Sequence, residues 1–350
     1  MADRNRTEHY RNSRSRVAVF GEVMMRLQTP GYELLTQASN LSYSFSGTGV
    51  NVGSALARFG HRAELVTVLP DNPLGDAAEA FARKLGLSTD FIARSGKYVG
   101  MYFLESGFGA RPGRVTYSNR QESSFNTAPA DTYDYEAIAS SVDVAHFCGI
   151  TLAMNDGVRR HLLELARAVK TSGGRVVFDC NYRPAHWGED GYAKAKPFYE
   201  EMLALADTTM MNEKDAMLIL GMPTDRTERH EQLIDLIPQV ADRYGISSIA
   251  GTHRTINADN TQTLQGYLYK DGRFVFSDPV TFAVHDRIGA GDAFASGIIH
   301  GELSGFEPDR TVRFAVAAAV LAHTITGDTP MSGEKDIERA MTATVGDVER

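Results

Sequence analysis

The sequence predicts an α/β chain, with a mostly parallel central sheet covered by helices on both faces and a small β-sheet inserted into it. Three observations carry that expectation. From Val142 onward, short β-prone runs alternate with helical stretches, the rhythm of linked βαβ units. Gly60 and Gly86 sit just beyond predicted helices, where glycine ends a helix most easily. Two β-prone segments, about residues 25–46 and 98–122, break the rhythm early and are expected to form a lobe covering the site.

Val17 to Phe20 reads as the first strand, ending at Gly21-Glu22. Pro30-Gly31 marks a turn, and Leu41 to Phe45 alternates apolar with polar residues. A helix over Asn51 to Phe59, a strand over Leu65 to Leu69 and a helix over Asp76 to Leu85 follow. Val99 to Glu105 and Arg114 to Tyr117 read as a strand pair. Further strands are expected at Val144 to Phe147, Val176 to Asp179, Thr208 to Met211 and Ser248 to Ala250. Helices are expected at Val158 to Thr171, Lys196 to Leu205, Lys214 to Leu220 and Glu228 to Tyr244. Asp271-Gly272 between Leu264 to Tyr269 and Arg273 to Ser277 signals a hairpin. Helices over Asp292 to Leu303 and Pro308 to Thr324 come next, then a tail helix within 333–350.

Composition narrows the function. With 43% hydrophobic residues, 23% charged residues and a net charge of −8, the chain suits an enzyme rather than a nucleic-acid or anionic-membrane binder. Residues 1–16 carry five arginines and no apolar run, so a disordered leader is expected there, not a secretory signal. No apolar stretch has transmembrane length, and cytoplasmic residence is the default. The two cysteines, Cys148 and Cys180, lie in apolar runs and read as buried reduced thiols. Residues 17–345 form one expected domain.

The motif richest in chemistry is Gly289-Ala290-Gly291-Asp292, a small-residue turn leading into an apolar helix. Free amides and the dipole at a helix start hold phosphate groups, and Asp292 beside them can take a proton from an attacking hydroxyl. The helix start is expected to keep Asp292 ionised. A plain tight turn with Asp292 as a cap is the alternative. Neither a P-loop nor a complete dinucleotide fingerprint is present, which argues against a dehydrogenase.

Asp179, Asn181 and Arg183 alternate at the end of a predicted parallel strand, where α/β sheets bind ligands, with Trp187 as a possible wall. Arg183 can grip a carboxylate or phosphate, or lie in a solvated salt bridge. Tyr102, Tyr117 and Arg120 can form the underside of a lid, the tyrosines meeting sugar oxygens and Arg120 a substrate acid; ordinary strand aromatics and a surface arginine are the competing account. Asn212 and Asp215 can reach a magnesium-water shell or cap a helix. His253 and Arg254 follow the next strand and can face nucleotide phosphates. His323, ending a helix, is assigned no chemistry.

Together these residues resemble the ribokinase-like, or PfkB, family of carbohydrate kinases from Val17 to about Gly327, and within it the 2-keto-3-deoxygluconate kinase type. The resemblance implies a three-layer α/β/α sandwich with a β-sheet lid. Gly47-Thr48-Gly49-Val50-Asn51 resembles the sugar-binding turn, and Arg287 to Gly297 the C-terminal signature, with Asp292 as catalytic base and Gly289, Ala290 and Gly291 as anion hole. Asn212 and Asp215 resemble an Asn-x-x-Glu element tied to magnesium and phosphate, and Asn212, Asp215, His253, Arg254, Gly289 and Gly291 are the expected cofactor contacts. Asp179, Asn181, Arg183 and Trp187 match an Asp-x-Asn-x-Arg…Trp pattern of ketodeoxy-sugar-acid kinases, which also have Gly21-Glu22 and Tyr102 to Glu105. The implied sugar contacts are Glu22, Gly47, Gly49, Asn51, Tyr102, Tyr117, Arg120, Asp179, Asn181, Arg183 and Asp292.

The resemblance thus implies ATP and Mg2+ as cofactors, admits a monovalent cation such as K+, and implies a small sugar or sugar acid as substrate; the exposed edges of the lid strands could pair across a homo-oligomer, a dimer being favoured. The expected reaction is phosphorylation of 2-keto-3-deoxygluconate at its terminal hydroxyl. A fructokinase, another neutral-sugar or nucleoside kinase, and a sugar sensor without turnover are the alternatives. Three departures stand out: Ser46-Gly47-Thr48-Gly49-Val50 lacks the usual paired glycines and acid, Asp215 replaces glutamate, and Gly251-Thr252-His253-Arg254 replaces Lys-x-Gly-x-x-Gly.

Overall fold

The computed structural model describes residues 15–342. Of the leader expected over 1–16, residues 1–14 lie outside the described residues, as do 343–350, while Arg16 is corrected to the start of the first strand, where it pairs with Arg62. In chain order the elements begin with β1 (Arg16–Phe20), β2 (Met24–Gln28), β3 (Ser42–Ser46), α1 (Thr48–Arg58), β4 (Arg62–Leu69), α2 (Pro73–Lys84) and β5 (Ile92–Arg94). They continue with β6 (Gly100–Glu105), β7 (Arg114–Ser118), α3 (Tyr135–Ser140), β8 (Val144–Cys148), α4 (Gly149–Leu152), α5 (Asp156–Thr171), β9 (Arg175–Asp179), α6 (Pro184–Trp187) and α7 (Gly191–Leu203). Then come β10 (Thr208–Met210), a π-helical turn (Asp215–Ile219), α8 (Arg229–Tyr244), β11 (Ser248–Ile256), β12 (Gln262–Lys270), β13 (Arg273–Phe276) and β14 (Val280–Phe282). The last are α9 (Ala290–Leu303), α10 (Pro308–Ala322) and α11 (Glu334–Ala340).

A ten-stranded sheet runs β13-β12-β11-β10-β9-β8-β1-β4-β5, with β14 also on β12. It is parallel from β5 to β11 and antiparallel beyond. Side-chain alternation in β1 explains the layers: Val17 and Val19 face one core with α1, α9 and α10, while Ala18 and Phe20 face the other with α5, α7 and α8. The separate four-stranded sheet runs β3-β2-β6-β7, drawn from the two segments that break the βαβ rhythm.

Several details differ from the sequence-based expectation. The strand expected to stop at Ala250 continues to Ile256, because β12 pairs antiparallel along its whole length, from Ser248↔Lys270 to Ile256↔Gln262. His253 and Arg254 therefore lie within a strand. The helix expected from Lys214 to Leu220 is a π turn, closed by Leu220 N donating to Asp215 O at 3.2 Å. The short elements β5, β14, α3, α4 and α6 carry too few residues for a periodic signal. The tail helix ends at Ala340.

Helix α9 is seated by close approach to α10. A Cβ on Gly297 would lie 2.5 Å from Ala315 Cα and 2.9 Å from its Cβ, both atoms of a buried helix. Gly297→Val should therefore push the helices apart, costing about 1–3 kcal/mol in denaturant unfolding, and lower turnover because Asp292 rides on the same helix.

Candidate active site

At the C-terminal ends of the parallel strands, beneath the small sheet, lies a cleft of about 750 Å³. Strand ends contribute Asp179, Met210 and Gly251, and the small sheet contributes Tyr102 and Tyr117. Ligands meet open α/β sheets at this edge because connecting loops and helix starts converge there.

The chain enters α9 through Gly289, whose φ of 85° is left-handed. A side chain there would run into Asp328 O, so two constraints select glycine. No side chain caps the helix, leaving its first-turn amides without an intrahelical acceptor. Around Gly291 a Cβ would meet nothing within 4 Å. That hollow, bordered by free amides, fits a phosphoryl group.

Asp292 is buried at 8% exposure, and Asn51 Nδ2 donates to its Oδ2 at 2.7 Å. Asn51 is in turn held by Thr329 Oγ1, which donates to its Oδ1 at 3.3 Å. Burial, reinforced by Asp179 and Asp328 and opposed by Asn51 and Arg183, pushes the Asp292 carboxyl up to about 7. The expectation that the helix start keeps Asp292 ionised is corrected: desolvation and neighbouring carboxylates outweigh the dipole. A group poised near neutrality is suited to taking up a proton.

Burial also raises Asp179 to about 6 and Asp215 to about 7. Neither carboxylate has a cationic partner within salt-bridge distance among the described residues. Asp215 Oδ2 accepts from Asn212 N at 2.8 Å, and Asn212 Oδ1 accepts from Lys214 N at 2.9 Å, so this element does cap its own turn while lining the cleft. Among the described residues no group of three His, Cys, Asp or Glu stands ready to hold a metal directly. Asp179 and Asp215, with no direct salt bridge among the described residues, nevertheless fit a cation held through water or phosphate.

The sugar-binding expectations divide. Gly47, Asn51, Tyr102, Tyr117, Arg120, Asp179, Asn181, Arg183 and Glu22 all line the cleft. Gly49 does not: it packs on β1, where a Cβ would lie 3.4 Å from Val19 O. Asn181 is brought in by a turn rather than an extended strand, with φ 29° and its Nδ2 on Cys148 Sγ at 3.1 Å. Trp187 is no wall of this cleft; it borders a neighbouring hollow, under Arg159. Both cysteines are buried and free, as expected.

The cations divide as well. Arg120 Nε donates to the buried Glu22 at 2.9 Å, so its charge is already answered. Arg183 lines the cleft, and its guanidinium has no ion pair or hydrogen bond among the described residues. Arg254 donates to Gln262 Oε1 at 3.3 Å, and burial, with nearby Arg287, lowers its pKa. Both line the cleft and neither has a carboxylate partner among the described residues. His253 points away from the cleft: its Nε2 lies 2.9 Å from Glu213 Oε2, and Arg229 Nε binds the other oxygen at 2.6 Å. His323 also borders the cleft, with Nδ1 donating to Ala319 O at 2.7 Å.

Sequence reasoning missed the buried triad of Arg26, Asp286 and Asp328. Arg26 of β2 is 1% exposed. Its guanidinium binds Asp328 and, at 3.0 Å, Asp286. Tyr102 donates its hydroxyl to Asp328. A lone charge in a short alternating strand was the available signal.

Comparison with known proteins agrees with this geometry. Residues 14–334 match the model of the pfkB family of carbohydrate kinases. The chain is 28% identical over 329 residues to a 2-dehydro-3-deoxygalactonokinase of Haloferax volcanii, covering 93% of this chain and 96% of the relative. It is 26% identical to a 2-dehydro-3-deoxygluconokinase of Thermoproteus tenax over 89% of each chain. The crystal structure of a 2-dehydro-3-deoxygluconokinase from Thermotoga maritima superposes with a TM-score of 0.89 at 32% identity, covering 94% of this chain and 98% of that one. With a match spanning nearly its whole length, the chain belongs to the pfkB family of carbohydrate kinases.

Proposed function

We propose that this kinase transfers the γ-phosphoryl group of ATP to the terminal primary hydroxyl of a small sugar acid, with 2-keto-3-deoxygluconate as the first candidate. The observation that carries this reading is the unpaired Arg183 in the same cleft as Asp292 and the hollow at Gly291. The Arg183 guanidinium makes no direct ion pair among the described residues, which leaves its fork open to an anionic ligand. The names of the relatives in the gluco and galacto series support the same substrate class.

In this reading Asp292 takes the proton of the sugar hydroxyl as its oxygen bonds to the γ-phosphorus and the bond from that phosphorus to the bridging oxygen breaks. Asn51 holds the carboxylate at the angle that keeps one oxygen directed to the hydroxyl. The first-turn amides of α9 stabilise charge on the transferred group, and Arg254 and Arg287 balance the remaining phosphates. Asn212 and Asp215 would hold Mg2+ through water or phosphate, and Mg2+ when bound supplies charge neutralisation to the phosphates. Tyr117 and the small sheet cover the sugar and limit water access.

ADP release measured against 2-keto-3-deoxygluconate, its galacto epimer and fructose tests the substrate class; turnover of fructose alone would overturn it. Asp292→Asn should lower kcat by about 10³-fold while leaving ligand-induced thermal shifts in place. The same carboxyl titrating at about 7 should make kcat/KM fall roughly tenfold per pH unit below neutrality.

Stability carries the opposite sign. The folded protein binds the Asp292 proton more tightly than the unfolded chain, so its contribution to stability is present at low pH and is lost as pH rises through about 7. Asp292→Asn should therefore raise Tm at pH 8 by several degrees and leave it nearly unchanged at pH 4, as read by differential scanning fluorimetry.

Arg183→Leu should raise KM for the sugar acid by about 10–100-fold and change KM for a neutral sugar by less than about threefold. Equal losses on both would remove Arg183 from carboxylate recognition.

A further inference from the structure

The Arg120 guanidinium is held on three sides. Its Nε donates to Glu22 Oε2 at 2.9 Å, and Glu22 is itself fixed by Ser123 Oγ at 2.8 Å and Asn126 Nδ2 at 3.3 Å. Its plane lies against Tyr117, 4.7 Å from the ring centroid. The third hold is His186 of α6, whose Nε2 lies 3.1 Å from Arg120 Nη1. His186 also packs its ring 5.2 Å from Tyr117.

For Nε2 to accept from a guanidinium, the imidazole must be neutral with its proton on Nδ1. Burial, with Arg120 and Arg183 nearby, pushes His186 down to about 4, in keeping with that tautomer. A guanidinium donates in a fixed planar fork. With Nε and one Nη1 proton committed, the Nη2 edge has no partner among the described residues, and Arg120 lines the cleft. Because Glu22 answers the charge, that edge selects by direction rather than by net charge.

Resting on the sugar-kinase reading above, we propose that His186 is a positioning residue for substrate specificity. As a neutral acceptor on Nη1, it aims the Nη2 edge of Arg120 at one oxygen of the sugar. Glu22 fixes Nε and Tyr117 flanks the plane, while the contact with His186 fixes the direction of the Nη1 side of the fork. His186 also joins the small sheet to the Asp179–Arg183 strand end.

Two variants separate acceptor from packing. His186→Phe keeps a ring on Tyr117 and removes the acceptor; His186→Gln loses the ring and keeps an acceptor. Steady-state kinetics use whichever sugar of the panel the wild-type enzyme phosphorylates best, so a wrong substrate class and a wrong role for His186 give different results. His186→Phe should raise KM for that sugar by about tenfold, with KM for ATP and kcat within threefold of wild type, and His186→Gln should recover most of the loss. In an Arg120→Leu background His186→Phe should add no further loss. Better function in the Phe than in the Gln variant, a loss that adds to that of Arg120→Leu, or an unchanged sugar KM would each overturn the proposal. Melting curves of both variants confirm that the fold is retained.

Discussion

The buried charge of Arg26 constrains the rest of the site. Taking a guanidinium out of water costs several kcal/mol unless partners replace its hydration, and losing one partner of such a pair leaves the others stranded. Asp286 and Asp328 supply that replacement from the loops on either side of α9 and α10. Asp328 then does two more things. It receives the Tyr102 hydroxyl from the small sheet, and its carbonyl closes off the space beside Gly289. Asp286 accepts from Gly327 N at 3.3 Å and from Ile288 N at 3.2 Å, tying both loops together. The sheet above the cleft and the turn that begins α9 are thus one electrostatic unit.

Around this triad, the cleft holds other charged groups that make no direct ion pair among the described residues. Asp292 is buried and Asp179 and Asp215 are half-buried, all three with raised pKa, and Arg183, Arg254 and Arg287 lack carboxylate partners among the described residues. Acids with raised pKa beside arginines open to the cleft suit the charged ligands of the proposed reaction. Glu213 makes the contrast plain. Fully buried but bound by His253 and Arg229, its carboxyl is held down at about 2 and takes no part in the cleft.

What the sequence disclosed was local. The run from Gly289 to Asp292 is legible because four neighbouring residues define a turn and a helix start, and strand alternation is legible because its period spans a few residues. What it concealed depends on distance along the chain. Arg26 meets partners 260 and 302 positions away, and Arg120 meets Glu22 from 98 positions away, so no window shows that one charge is buried and the other neutralised. The protonation of Asp292 was misjudged for the same reason: the dipole is local, whereas burial and the fields of Asp179 and Asp328 are not. His253 was placed on the wrong side because the strand carrying it is prolonged by pairing with β12, a tertiary effect.

Two glycines of the same turn show how structural demand differs from functional demand. Gly289 would be required even in a protein that bound nothing, since its backbone is left-handed and Asp328 O blocks a side chain. Gly291 is under no such requirement: its backbone is helical and the space above it is open. In the proposed reaction, that open space lets a phosphoryl group come within reach of the α9 amides.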